Sequence, residues 1–405
     1  MPDGVLPEAA AIETRGAERA IGAWPRAWGG TVATASVLES GTAGAGRCPG
    51  ADLVVVNVED GSLRRIARGM TTWAITRAHA VSPDLRFIAY LEESGAYVPE
   101  PDARLRFAAQ YRFALRVAAL DGASPTLQPD AAMDVVGGSL RWSPDGAALA
   151  FVSYGETRSD PPRILRLDLS TDEVTALGPP DLDTAFPEED PHLAWTAAGA
   201  LVALAARAAL GPRARPGARR DWWLVGPDRR AVSLTAGMAH PPARLVAASD
   251  GSLIGAAGGA VWRLRTDGGP PERLADDAGF EAVDIAWPPS DLDAAVVDRV
   301  VIRGRREGAT TYATLDVLGA AMQRLAPPGD TSSLVAFTPS NGAAVFAERA
   351  PNGTRLWAVR PDGGTAVRLL EANAFLRDVA PGEARRIEYR GLDGEPLAGW
   401  LLLPL

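Results

Sequence analysis

Arg141-Trp142-Ser143-Pro144-Asp145-Gly146-Ala147-Ala148-Leu149-Ala150-Phe151-Val152 is the stretch from which the architecture follows. A proline at the second turn position presets φ, and Asp before Gly accepts a tight return because glycine reaches positive φ without a Cβ clash. The apolar run behind the turn suits a buried strand. The phrase recurs along the chain. Val81-Ser82-Pro83-Asp84 leads into Leu85-Arg86-Phe87-Ile88-Ala89-Tyr90-Leu91, and Phe337-Thr338-Pro339-Ser340-Asn341-Gly342 leads into Ala343-Ala344-Val345-Phe346-Ala347-Glu348. A further strand follows, Ile164–Asp168 or Leu356–Val359, and then a last one, Glu173–Leu177 or Ala366–Leu370. With the segment before the turn, each unit has four strands.

Working outward, such units tile the sequence. They run from Ala20 to Arg68, Thr72 to about Gln128, Asp134 to Gly178, Pro187 to Ala236, Ala243 to Ala275, Glu281 to Ala326 and Thr331 to Leu370. The fourth keeps only Thr196-Ala197-Ala198-Gly199 at its turn, the fifth Ser249-Asp250-Gly251 and the sixth Trp287-Pro288-Pro289-Ser290-Asp291. A period of roughly 45–60 residues is that of a four-stranded propeller blade. The expectation is an all-β, seven-bladed β-propeller of antiparallel four-stranded blades over 20–372. The degenerate units leave six and eight open as counts. Residues 1–19, with a helix-like Pro7 to Arg19, form an N-terminal segment, 373–383 a linker, and 384–405 a separate β-hairpin.

Composition fits. A chain of 405 residues is long for one core, but a propeller grows by adding blades. A net charge of −9 argues against a general nucleic-acid binder. The basic cluster Arg213, Arg215, Arg219 and Arg220 reads as a solvated loop, with a partner patch as the lesser alternative. Ala200 to Leu210 is apolar but too short to span a bilayer. One cysteine, Cys48, excludes an internal disulfide framework. The start has no basic region followed by an apolar core, so a cytoplasmic location without membrane contact is expected.

The tail alters the functional reading. Ile387-Glu388-Tyr389 alternates, Asp393-Gly394 makes a turn, and Leu397 to Leu403 returns as an apolar strand. Such a strand needs a sheet to bury it, and an open apolar edge is a liability. The polypeptide is therefore expected to be one part of a longer protein or a shortened relative of one.

Propeller units with Trp142-Ser143-Pro144-Asp145-Gly146, followed by Ile387-Glu388-Tyr389-Arg390-Gly391-Leu392-Asp393-Gly394-Glu395-Pro396-Leu397-Ala398-Gly399-Trp400-Leu401-Leu402-Leu403-Pro404, resemble the prolyl oligopeptidase (S9) family of serine peptidases. The closer resemblance is to its acylaminoacyl-peptidase and dipeptidyl-aminopeptidase branches. It implies that 384–405 is the first hairpin of a truncated α/β-hydrolase domain, that the propeller restricts entry to short or unfolded peptides, and that the peptidase acts on short or N-blocked peptides. Peptide substrates would then be met through the missing domain, and homo-oligomers are a possibility that the family suggests.

The catalytic apparatus of that family does not occur in these residues. It needs a Gly-x-Ser-x-Gly elbow with Asp and His later in the chain, and no such elbow is present. Gly138-Ser139 and Gly251-Ser252 lack the second glycine. His79, His192 and His240 are the three histidines, each read as structural, and a serine without a base is not an activated nucleophile. No catalytic residue is assigned, and substrate-binding residues are left unknown. Gly41-Thr42-Ala43-Gly44-Ala45-Gly46-Arg47-Cys48 has phosphate-loop glycines but neither the Lys nor the Ser/Thr that would hold phosphate and magnesium. Asp181-Leu182-Asp183 and Glu188-Glu189-Asp190 lack the glycine and terminal glutamate of a calcium loop. They read as solvated loops, as do Glu92-Glu93, with a peptide amino terminus as the minor alternative. No cofactor or metal is expected. Trp142, Trp195, Trp262, Trp287 and Trp357 recur at equivalent places and read as wedges between blades.

Three functions remain. The first is the gating propeller of a serine oligopeptidase, incomplete as it stands. The second is a free-standing peptide- or protein-binding propeller, whose terminal hairpin would complete a blade. The third is a propeller enzyme acting at its own channel, for which no convergent set of acids is apparent.

Overall fold

The computed structural model describes residues 51–56, 61–70, 79–95, 112–122, 126–129, 133–154, 161–184, 192–208, 218–275, 279–287, 296–329, 331–339, 341–350, 353–361, 364–375, 383–391 and 394–403. The expected helix at Pro7 to Arg19, the first strand of the opening unit, Cys48 and the glycine-rich 41–48 lie outside them. The described residues are nearly all strand or turn, in successive antiparallel sheets consistent with a propeller-like fold.

β1 (Ala51–Val56) pairs with β2 (Leu63–Met70). β3 (His79–Val81), β4 (Phe87–Gly95) and β5 (Arg112–Ala119) form a three-stranded sheet, with Leu127 bridging back to Val117. The next sheet holds β6 (Asp134–Val135), β7 (Arg141–Trp142), β8 (Ala148–Tyr154), β9 (Arg163–Asp168) and β10 (Glu173–Leu177). It is followed by β11 (Leu182–Asp183), β12 (Leu193–Trp195), β13 (Leu201–Arg207), β14 (Arg220–Val225) and β15 (Ala231–Ser233). Three four-stranded sheets complete the series. They are β16 (Val246–Ala247), β17 (Leu253–Ala257), β18 (Ala260–Leu264) and β19 (Glu272–Ala275); β20 (Glu281–Trp287), β21 (Arg299–Arg306), β22 (Ala309–Asp316) and β23 (Ala321–Leu325); and β24 (Ser332–Thr338), β25 (Ala343–Ala350), β26 (Gly353–Val359) and β27 (Val367–Ala372). In each of the last three, neighbours in sequence are neighbours in the sheet.

The expectation of four strands per unit needs refining in the third and fourth sheets, where the first strand is split in two. In the third, β6 and β7 both pair with β8. Between them Gly138 takes φ 74°. The Ser139 hydroxyl donates to Val136 O and accepts the Val152 amide, replacing a ladder bond. Within the apolar Ala200 to Leu210, Leu201–Arg207 is strand β13, buried from Leu201 through Ala206, and residues 209–210 lie outside the described residues.

The turns form as their chemistry dictates. At Ser143-Pro144-Asp145-Gly146 the serine hydroxyl donates to Asp145 (2.6 Å) and accepts from the Ala148 amide (2.9 Å), while Asp145 accepts from the Ala147 amide (3.0 Å). Ser82 and Asp84 repeat this arrangement with Phe87 and Arg86. Ser252 donates to Asp250 in the mirrored order, and Asn341 takes the aspartate's place before Ala343. Gly146 has φ 69° and a neighbour where a Cβ would sit: Asp84 of the preceding turn, at 3.2 Å. Leu85 holds the corresponding place after Asp84 at φ 57°, a strained setting for a bulky residue.

These donors hold the turn carboxylates below their ordinary range. For Asp145 the Ser143 hydroxyl is the main cause, followed by the Ala147 amide. For Asp84 burial is the largest single influence and acts upward, but the Ser82 hydroxyl and the Arg86 amide and charge together outweigh it. A folded-state pKa below the unfolded one adds stability that is complete above the unfolded value, about 4, and is lost as pH falls through the folded one. Asp145→Ala should therefore lower the melting temperature at pH 7 and flatten its fall between pH 5 and about 2. Melts of both proteins across that window check it, and an unchanged acid slope would remove Asp145 from the linkage.

The described residues fall into two compact units, lying within Met1–Leu193, Ala203–Arg220 and Val225–Ala231, and within Ala194–Val202, Asp221–Leu224 and Val232–Leu405. In the first, Ile88, Tyr90 and Ala118 of the second sheet pack on Leu53, Ile66 and Ala67 of the first. Trp142 then reaches from the third sheet to the second, its Nε1 donating to Ala80 O at 2.9 Å and its ring stacked on Phe87. In the second unit one core joins β16–β19 to β20–β23 through Val246, Ile254, Phe280, Val300 and Ile302. Another joins β20–β23 to β24–β27, where Trp287 meets Phe337 edge-on at 5.1 Å. Within each unit these apolar side chains lie between successive sheets, as expected for stacked repeats.

Candidate functional site

The histidines and serines weighed for catalysis are not assembled into a nucleophile system. His79 lies exposed on β3, His192 immediately precedes β12, and His240 lies exposed ahead of β16. Ser139 and Ser252 are buried, with their hydroxyls committed to Val136 O and to Asp250.

The acidic groups divide similarly. Asp181 is held by the Arg207 guanidinium at 2.7 Å and Glu92 by Arg116 at 2.6 Å. Both pairs are cross-strand neighbours or nearly so, and both carboxylates remain partly exposed. Asp183 is buried in β11, and Glu93 has an interaction of its own. Glu188-Glu189-Asp190 lies outside the described residues. Among the described residues no group of three His, Cys, Asp or Glu could hold a metal ion. Of the basic cluster, Arg219 and Arg220 are described and both have partners; Arg213 and Arg215 are outside.

The tryptophans separate by environment. Trp142 and Trp195 are buried, and Trp287 is half-buried against Phe337. Trp262 and Trp357 bond within their own sheets, to Ala257 O and to Glu348. Trp222, which no repeat spacing singled out, is as buried as Trp142 and donates to Pro242 O at 2.7 Å. Trp357 belongs to a half-buried network in which Arg355 bridges Glu348 and Glu371.

The feature that stands apart is the terminal hairpin. β28 (Glu383–Arg390) and β29 (Pro396–Leu403) pair with each other in unbroken register and with no other described strand. The turn closes through Gly391 N to Glu395 O and Gly394 N to Gly391 O, with Gly394 at φ 79°. Cross-strand pairs share a face. Ile387 with Gly399 and Tyr389 with Leu397 give one apolar face, on which the Tyr389 ring covers the Gly399 backbone. Arg386 with Trp400 and Glu388 with Ala398 give the other. Trp400 is 72% exposed and Tyr389 50%, and Leu401 is exposed as well. A lone two-stranded hairpin is marginal in water, and one with apolar groups on both faces lacks a covering layer.

No protein-family model matches the sequence, and no curated protein matches it significantly. Solved structures do match. The chain is similar to one from a structural and mechanistic study of two prolyl endopeptidases, at 12% identity and a TM-score of 0.51 over 87% of this chain and 50% of that one. That likeness is one of fold. Pyrococcus horikoshii acylaminoacyl peptidase aligns at 16% identity and a TM-score of 0.47, over 86% of this chain and 52% of that one. TolB from Acinetobacter baumannii aligns at 17% identity and a TM-score of 0.35, over 80% and 78%. The chain spans about half the length of the two peptidases.

Proposed function

We propose that these residues are the substrate-gating, seven-bladed propeller of an S9-type serine peptidase, with β28 and β29 as the entry hairpin of its α/β-hydrolase domain. The observation that carries this reading is the hairpin, paired only with itself among the described strands and with exposed apolar side chains on both faces. The fold likeness to a prolyl endopeptidase over half of that chain supports it. In this proposal 20–372 is the propeller, 373–383 the linker and 384–405 the start of the catalytic domain. Further strands of that domain cover Ile387, Tyr389, Leu397 and Trp400.

The chemistry would be nucleophilic attack by a serine outside these residues, an acyl-enzyme, then hydrolysis. The propeller's share is steric: stacked sheets admit a short or unfolded peptide and exclude a folded chain. Peptides are the partners, the location is cytoplasmic, and self-association, where it occurs, uses the catalytic domain. A free-standing binding propeller would use the hairpin to complete a blade, and β28–β29 joins no described sheet.

The coding sequence past Leu405 tests the proposal directly. A Gly-x-Ser-x-Gly followed by Asp and His is expected there. The extended protein should hydrolyse an acyl-aminoacyl p-nitroanilide and lose that activity on Ser→Ala, while residues 1–405 alone should give no turnover. A reading frame without the elbow, or turnover by residues 1–405, would overturn it.

A further inference from the structure

At the end of β10 in the first unit, a cavity of about 90 Å³ lies between two sheets' loops. Its apolar lining includes the cross-strand pair Ile164 and Leu177, with Leu182, Pro162 and Pro179, and its polar lining is Arg163 and Arg229. This volume is far below the several hundred Å³ of a cofactor or drug-sized site, and suits one aliphatic side chain.

The two arginines distinguish the cavity from a packing gap. Both are exposed, and among the described residues neither guanidinium has a salt bridge or side-chain hydrogen bond. Nearby cations are already matched, Arg166 with Asp168 and Arg207 with Asp181. Arg163 stands in sequence between two lining residues, Pro162 and Ile164, so its guanidinium is within a side-chain length of the opening. Arg229 sits at φ 60°, a left-handed setting in which glycine would be relaxed. The setting belongs to the hairpin turn closed by Gly226 N to Arg230 O, and Asp172 and Glu307 adopt it elsewhere in the chain. Gly178, at φ 69°, lets the loop close here, with its Cβ position 3.1 Å from Val225 and 3.4 Å from Leu182. The backbone is tied by Gly178 N to Gly226 O at 2.8 Å.

We propose that this cavity binds the carboxyl-terminal residue of a peptide, its aliphatic side chain inside and its α-carboxylate held by Arg163 and Arg229. The reason for a terminus is geometric. An apolar group and a carboxylate must come from one residue to meet a pocket for one side chain with cations at its edge. An internal Asp or Glu supplies the charge without the aliphatic group. Guanidinium forks suit a carboxylate, and such charge-assisted bonds are the strong ones. The site stands independently of the peptidase reading, since it uses no residue beyond this chain.

Fluorescence polarisation with the 405-residue protein tests it. The probe is fluorescein-Gly-Gly-Ser-Leu with a free carboxyl terminus, compared with its C-terminal amide. The acid should bind at least about tenfold more tightly than the amide, and Leu→Gly in the probe should weaken it similarly. Arg163→Gln and Arg229→Gly should each cost about tenfold. Arg229→Gly should melt no lower than the parent, because it relaxes φ, which separates lost binding from lost folding. Equal binding of acid and amide, indifference to both substitutions, full competition by acetate at the same concentration, or no binding of the acid would each overturn the proposal.

Discussion

Trp142→Ala should destabilise the protein by about 3–5 kcal/mol, the range for removing a large aromatic from a packed interior. Trp142 is 1% exposed, stacks on Phe87 with centroids 6.4 Å apart, and donates Nε1–H to Ala80 O. The substitution removes the ring's contacts and strands a carbonyl on β3. In stacked repeats each sheet is stabilised through its neighbours, so the loss falls on the joint between the second and third sheets. Urea unfolding measures it. Trp142→Phe keeps most of the ring and should lose about 1–3 kcal/mol, the penalty for the unpaired carbonyl. A loss under about 1 kcal/mol for the alanine variant would mean that the tryptophan does not join the two sheets.

The second large effect comes from adding a single carbon. Gly304 lies mid-strand in β21, opposite Ala282 and Thr311. A Cβ there would stand 2.5 Å from Phe280 Cζ and 2.7 Å from Glu281 O. Phe280 is buried in the core shared by the sheets β16–β19 and β20–β23, and Glu281 is fixed in register with Arg305. Neither can retreat without disturbing packing or ladder, so Gly304→Ala should cost about 1–3 kcal/mol. Gly237→Ala, where a Cβ meets nothing within 4 Å, should be neutral or slightly stabilising in the same assay. Phe280→Leu in the Gly304→Ala background should recover part of the loss, and strict additivity of the two would rule out the clash.

The turns were the legible part of this fold. A Ser-Pro-Asp-Gly phrase closes its hydrogen bonds within six residues, so its geometry needs no partner from elsewhere. Ser143 with Asp145 and Ser82 with Asp84 adopt the same pattern for that reason. The strand after the turn was equally readable: Glu173–Leu177, expected as a last strand from its spacing, is β10. The terminal hairpin announced itself through alternation and an Asp-Gly turn. The break between β6 and β7 was less visible, because it depends on Ser139 reaching the Val152 amide thirteen residues away.

What the sequence alone determined, then, is everything carried by short-range backbone preference: repeated turns, alternating strands, a greasy final ribbon and no acyl-transfer elbow. Tertiary structure decided which side chains face each other across distant strands. Glu92 is paired by Arg116, which lies diagonal to it across β4 and β5, and Trp222 bonds the Pro242 carbonyl, twenty residues on. Arg163 and Arg229, sixty-six positions apart, edge one cavity only because the start of β9 and the turn after β14 are brought together. Such pairings follow from sheet register and stacking, which depend on the summed packing of many residues and leave no mark on any single local stretch.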